Sequence, residues 1–250
     1  MKLSPREDKI IELLSGDDEN SVSRLADVLG VSQVTVRSDL KSLEAKGLVV
    51  RVHGSALSAC HPSMTDRQAS NLQQKEAIAK VAGAMVNDGE SVMICSGTTP
   101  ALVARYLLGK KDVNVVTNST LILPYARVNA GLNITMVGGE FRPQSEALVG
   151  PAAISQLEVF HVGIAFLGTD GLTIEHGLTT MLPENAEIVR CMCHQADKTV
   201  LVVDSSKFGS KGFVKILSIP DVDVIITDRR FPADALRQIR DMGVEVVIAD

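Results

Sequence analysis

Ser32-Gln33-Val34-Thr35-Val36-Arg37-Ser38-Asp39-Leu40 is the stretch whose reading decides the fold. Ser32 is a residue type that caps helices. Behind it Val36, Leu40 and Leu43 recur at helical spacing and give one apolar side. Gln33, Arg37 and Lys41 recur every four residues and share a different, polar side. Gly47 ends the pattern, and Leu48-Val49-Val50-Arg51-Val52 reads as a strand that turns at His53-Gly54. Upstream, Ser21 can cap a helix carrying Val22, Leu25, Ala26 and Leu29, and Gly30 stops it. Ile10, Leu13 and Leu14 give a first helical stripe. The expectation is a mainly helical winged helix-turn-helix over residues 1–56, with the Ser32 helix as the element that enters a DNA major groove.

The side chains suit that role. Gln matches the adenine edge, and Arg matches guanine or a phosphate. Ser32 and Thr35 can reach phosphates, which fix register without reading sequence. Arg51 and His53 at the hairpin tip can touch the backbone or the adjacent groove. The expected DNA-binding residues are therefore Ser32, Gln33, Thr35, Arg37, Lys41, Arg51 and His53. The whole chain carries a net charge of −5 and is no bulk polycation, but from Ser32 to Gly54 four cations face two acids. The competing reading is a small helical oligomerisation module with a solvated polar face.

Residues 57–74 show no period and read as a linker. From Lys75 onward short apolar strands alternate with helices. Strands are expected at Ser91–Cys95, Asn114–Thr117, Asn133–Val137, Val162–Leu167, Thr199–Asp204, Val222–Thr227 and Val244–Ile248. Helices are expected near 75–86, 99–108, 119–129, 184–196 and 232–242. Such alternation implies an α/β domain over 75–250 built on a mainly parallel sheet.

The loops after these strands carry the second candidate site. Ser96-Gly97-Thr98-Thr99-Pro100 opens a helix, and such a small hydroxyl-rich turn can hold a phosphate. Asn118, Gly139 with Arg142, Gly168-Thr169-Asp170-Gly171 and Asp204-Ser205-Ser206-Lys207 follow other strands. In open α/β sheets the ligand crevice lies outside the strands' carboxyl ends. The expected effector-binding residues are Ser96, Gly97, Thr98, Thr99, Asn118, Gly139, Arg142, Gly168, Asp170, Gly171, Asp204 and Lys207. They offer phosphate donors, hydroxyl-binding carboxylates and a cation, which suits a phosphorylated sugar or sugar alcohol. No cofactor is expected, and the dinucleotide motif Gly-x-Gly-x-x-Gly is absent.

No metal site is expected either: Cys191 and Cys193 point to different helix faces beside His194. Lys75 is a candidate for coupling the ligand state to the linker, weighed against an ordinary solvated lysine. The charged start Met1–Asp8 and the absence of a long apolar stretch make the cytoplasm the expected location.

On these residues the chain resembles the DeoR family of bacterial transcriptional regulators. Arg6, Ile10, Leu14, Ser32, Thr35, Val36, Arg37, Asp39, Leu40, Gly47, Arg51, His53 and Gly54 match its DNA-binding pattern. Ser96-Gly97-Thr98-Thr99, Thr117-Asn118-Ser119, Gly138-Gly139-x-x-Arg142, Gly168-Thr169-Asp170-Gly171, Gly177-Leu178-Thr179-Thr180 and Asp204-Ser205-Ser206-Lys207-Phe208-Gly209 match its sensor domain. The resemblance implies a sensor fold similar to ribose-5-phosphate isomerase and the CoA transferases. It also implies no enzyme but a repressor of a carbohydrate uptake or catabolism operon, binding double-stranded operator DNA as a homodimer or homotetramer. The alternative is an isomerase-like or acyl-CoA-handling enzyme with an appended DNA-binding head. Ser55 stands where the family usually has a second glycine, Ser38 where a basic residue is common, Cys95 where an acid is common, and Val189 where a lysine is frequent.

Overall fold

A computed structural model describes residues 4–14, 21–45, 49–52, 55–58 and 62–250, which fall into two compact units, Met1–Ser70 and Asn71–Asp250. The first unit contains α1 (Pro5–Leu14), α2 (Val22–Leu29), α3 (Gln33–Ala45), the strands β1 (Val49–Val52) and β2 (Ser55–Ser58), and α4 (Pro62–Ala69). The first three helix starts have local causes. The Ser4 hydroxyl accepts from the Glu7 N–H at 3.2 Å, while the Ser4 N–H donates to the Glu7 carboxylate at 2.7 Å, a reciprocal cap on α1. Ser21 accepts the Arg24 N–H at 3.2 Å and opens α2.

Gly30, at φ +64°, closes α2: its N–H donates to Asp27, and the N–H of Val31 donates to Ala26. That double bond pattern needs a left-handed residue, which glycine adopts without a Cβ penalty. Ile10, Leu14, Leu25, Ala26, Val36, Leu40, Leu43 and Val49 form one buried cluster. β1 and β2 pair antiparallel from Val49↔Ser58 to Val52↔Ser55.

The second unit contains α5 (Leu72–Ala84), β3 (Ser91–Ile94), α6 (Thr98–Val103), β4 (Val113–Thr117), α7 (Leu123–Ala126), β5 (Leu132–Met136), β6 (Glu140–Arg142) and β7 (Ala147–Val149). It continues with α8 (Pro151–Leu157), β8 (Val162–Leu167), β9 (Gly171–Thr173), β10 (Gly177–Thr180), α9 (Pro183–His194), β11 (Ala196–Val202), β12 (Val214–Leu217), β13 (Val224–Asp228), α10 (Ala233–Asp241) and β14 (Glu245–Ala249). The seven apolar runs expected as strands are the seven strands of one parallel sheet, ordered β14-β13-β11-β8-β3-β4-β5.

Their period-two alternation splits the core in two. Val92 and Ile94 lie in the cluster that holds Ile78, Leu102 and Leu107, whereas Met93 and Cys95 lie in the cluster that holds Leu157, Ile188 and Ile239. A three-stranded antiparallel sheet (β12-β10-β9) and the ribbon β6-β7 complete the domain.

Four sequence expectations change. The stretch 57–74 was expected to be a linker, but it contains α4 and the first residues of α5, with Met64 of α4 fully buried. The helix expected over 119–129 is a 3-10 turn at Thr120–Ile122 followed by the four-residue α7, with Pro124 in its first turn. Lys75 is no solvated lysine; it is 2% exposed on α5. The short strands β6, β7, β9, β10 and β12 and the helix α8 were not foreseen, because strands of three or four residues carry too little alternation to register.

Candidate DNA-reading helix and effector crevice

In the first unit, Ser32 caps α3: its hydroxyl accepts the Thr35 N–H at 3.1 Å and lies 2.9 Å from the Thr35 hydroxyl. Both groups expected at phosphates thus first organise the helix start. Gln33, Arg37 and Lys41 are all exposed, as their shared face requires. Arg37 Nη2 donates to Gln33 Oε1, and Gln33 Nε2 to Ser23 Oγ, each at 3.5 Å, the outer limit of a hydrogen bond. α3 is held to α1 by polar contacts as well as by the core. Arg6 grips both Asp39 oxygens at 2.5 and 3.0 Å, and Ser42 Oγ donates to Glu7 at 2.7 Å. Such a two-point grip fixes α3 about its own axis, which determines which side chains face outward. His53 lies outside the described residues, as does the side chain of Arg51.

In the second unit the sheet order reverses at one place. From β3 the chain runs outward through β4 and β5, then returns to the other side of β3 and runs outward through β8, β11, β13 and β14. In open α/β sheets such a reversal is where a ligand crevice is expected, between the loops after β3 and β8. Ser96–Thr99 follows β3 and Gly168–Asp170 follows β8, with Asp204–Lys207 after the next strand.

The Cys95 thiol joins the two loops. Sγ accepts the Gly168 N–H at 3.1 Å and donates to the Ser96 carbonyl at 3.2 Å. Burial pushes this thiol up to about 12, Asp170 adding to the rise and the Gly168 N–H opposing it, so it stays protonated at neutral pH. Gly97 sits at φ +134°, and a Cβ on Gly168 would come within 3.0 Å of Pro100. Thr98 is half-buried and Thr99 buried in the first turn of α6.

Several expected ligand residues already have partners or close backbone neighbours within the protein. Asn118 is buried; its Oδ1 accepts the Ser96 N–H at 2.9 Å, and its Nδ2 donates to the Leu148 carbonyl at 3.1 Å. Asp170 Oδ2 accepts the Thr180 hydroxyl at 2.7 Å and the Met181 N–H at 3.1 Å. Gly139 and Gly171 are close-approach positions, where a Cβ would fall 2.5 Å from the Val149 oxygen or 2.4 Å from the Ser210 oxygen. Arg142 is neutralised by Glu140 at 2.8 Å and Glu184 at 3.1 Å, and these contacts raise its own pKa.

Lys207 is different: it is half-buried, and no hydrogen bond or ion pair engages its ammonium among the described residues. Asp204 is buried, and its Oδ1 accepts from Ser206 N at 3.1 Å, Ser206 Oγ at 2.5 Å and Asn71 Nδ2 at 3.2 Å.

Sequence reasoning missed the residues behind this loop. Asn71, at φ +51° on the boundary of the second unit, ties Asp204 to Arg230, whose guanidinium donates to Asn71 Oδ1 at 3.2 Å and to Asp228 at 3.2 Å. Asp228 accepts the Ser205 N–H at 2.8 Å. Burial raises the Asp228 carboxyl, but the Ser205 and Arg230 donors outweigh it and hold the group below the ordinary aspartate value. The one signal available was asparagine's tolerance of left-handed backbone.

Comparison with known proteins agrees with both halves. Residues 6–61 match the DeoR-like helix-turn-helix domain, and residues 70–229 match the DeoR C-terminal sensor domain. The chain is 37% identical to the HTH-type transcriptional regulator GlpR of Haloferax volcanii, over 97% of this chain and 96% of that protein. It is 29% identical to the glycerol-3-phosphate regulon repressor of Escherichia coli K12, over 98% and 99%. Among solved structures, ribose 5 phosphate isomerase A from Neisseria gonorrhoeae aligns with 54% of this chain and 53% of its own at 18% identity and a TM-score of 0.39. With a DNA-binding head model, a sensor-domain model and a regulator of 37% identity all matched, the chain belongs to the DeoR family of DNA-binding transcriptional regulators.

Proposed function

We propose that this regulator is a repressor of a carbohydrate uptake or catabolism operon, released from its operator by a phosphorylated sugar or sugar alcohol. The observation that carries the reading is the reversal of strand order between β3 and β8, which sets the loops 96–99 and 168–170 side by side. Thr98 and Thr99 supply hydroxyls at the opening turn of α6, Lys207 supplies a cation with no carboxylate partner among the described residues, and Asp204 supplies a carboxylate for sugar hydroxyls.

The phosphate belongs with Lys207 and the 96–99 turn. Arg142 would first have to leave Glu140 and Glu184. Ser96, Gly97, Asn118, Gly139, Gly168, Asp170 and Gly171 shape the crevice through the close approaches and bonds described above. A regulator with a similar sequence, named for the glycerol-3-phosphate regulon, supports a small phosphorylated polyol as the ligand class.

On the DNA side Gln33, Arg37 and Lys41 face the major groove, Ser32 and Thr35 lie near phosphates, and Arg51 and His53 reach the backbone from the hairpin. The working form is a homodimer or homotetramer in the cytoplasm, because one small reading head gives little specificity alone. The effector favours an arrangement of subunits whose helices no longer match both half-sites of double-stranded DNA.

A thermal-shift screen of sugar phosphates identifies the effector. Changing Thr98 and Thr99 together to Val should then abolish release from DNA while leaving operator affinity unchanged in a gel-shift titration. Release at the wild-type effector concentration would refute the placement of the phosphate.

A further inference from the structure

We propose that Val34 reads a thymine methyl group in the operator, a specificity contact that rests on α3 lying in the major groove. Val34 is the second residue of α3 and is 72% exposed. It takes no part in the cluster formed by Val36, Leu40 and Leu43 on the same helix. Its surface neighbours one turn on are Arg37 and Ser38, both exposed, so an aliphatic group stands on an otherwise polar surface.

Nothing local favours a valine there. β-Branched residues are weaker helix formers than Ala, Glu or Lys, and an isopropyl group left mostly in water contributes little to folding. Exposed valines occur elsewhere on this protein, as at Val128 and Val159; what sets Val34 apart is its place in the first turn of the helix that carries Gln33 and Arg37.

The neighbouring polar groups already have partners of their own. Gln33 contacts Ser23 and Arg37, and the Thr35 hydroxyl meets Ser32. Val34 is the base-facing group at the helix start whose chemistry only an apolar partner can satisfy. Within the major groove that partner is the C5-methyl of thymine, which the other bases lack.

The test selects a duplex from a randomised pool with the full chain, then replaces each thymine in turn by deoxyuridine, which removes the methyl group alone. For wild-type protein one thymine per half-site should show a loss of about four-fold in affinity, the worth of one methyl group buried. Val34→Ala, which folds at least as readily because alanine is the better helix former, should narrow the difference between the thymine and deoxyuridine duplexes, since its shorter side chain buries less of the methyl group. Val34→Thr, which keeps one methyl, should retain part of the discrimination. Equal discrimination by Val34→Ala, or no thymine that wild-type protein distinguishes, overturns the proposal. Arg37→Ala separates the two readings: if it binds the selected duplex as wild type does, the groove placement of α3 fails as a whole.

Discussion

Arg37 carries the strongest single expectation on α3, because its guanidinium stands exposed one turn inside the helix. Truncating a groove-facing arginine costs about 1–3 kcal/mol, so Arg37→Ala should weaken operator binding by roughly ten-fold or more and leave the melting temperature unchanged. Unaltered affinity in a gel-shift titration would remove it from the interface. Cys95 and Val189 are the two positions of the sensor unit where the chain departs from charges common in its family, and both lie in one buried apolar cluster. A carboxylate at position 95 alone would be buried with no cation supplied by position 189. Cys95→Asp should therefore destabilise the sensor unit by several kcal/mol, read as a lower urea midpoint, even though relatives commonly carry an acid there. An unchanged midpoint would place the side chain of residue 95 in contact with solvent.

Among the elements, the loop after β11 is the one most dependent on charge. Asp228 holds Ser205 and Arg230 and sits below the ordinary value of 3.8. A carboxylate depressed by folding contributes stability that is complete above its unfolded value and disappears as pH falls through its folded value. Acid titration of wild type should thus lose a stabilising contribution below about pH 4, and Asp228→Asn should flatten that part of the stability profile. A variant whose profile parallels wild type below that pH would show that Asp228 does not anchor the loop. The same network reaches Asn71, so the start of α5 and the Asp204 loop depend on one set of bonds between residues more than a hundred positions apart in sequence. Elements with long periods were legible in advance. The apolar runs of four to six residues became the parallel strands, and the caps at Ser21, Gly30 and Ser32 became helix ends. The short antiparallel pieces β9, β10 and β12 were not legible. What holds them is close backbone approach, as at Gly171 and Ser210, and no alternation of their own reveals it.

The whole molecule has separate cores in its two units, one around Ile10, Val36 and Leu40 and one on each face of the seven-stranded sheet. Calorimetry of the full chain should show two transitions, and an effector that binds the crevice should raise only the sensor transition. At about a hundred times its dissociation constant the gain is roughly 2.7 kcal/mol, a shift of several degrees. A single transition that moves as one would mean that the two cores melt together.

The sequence by itself determined the helix-turn-helix, the identity of the seven parallel strands and the polar face of Gln33, Arg37 and Lys41. Caps and periods act over a few residues and need no distant partner. Only the tertiary structure decided which strand-end loops stand together, that Asn118, Asp170 and Arg142 are already engaged, and that Lys207 has no such partner among the described residues. Those facts depend on strand order and on contacts between chain segments far apart in sequence, which local pattern does not encode.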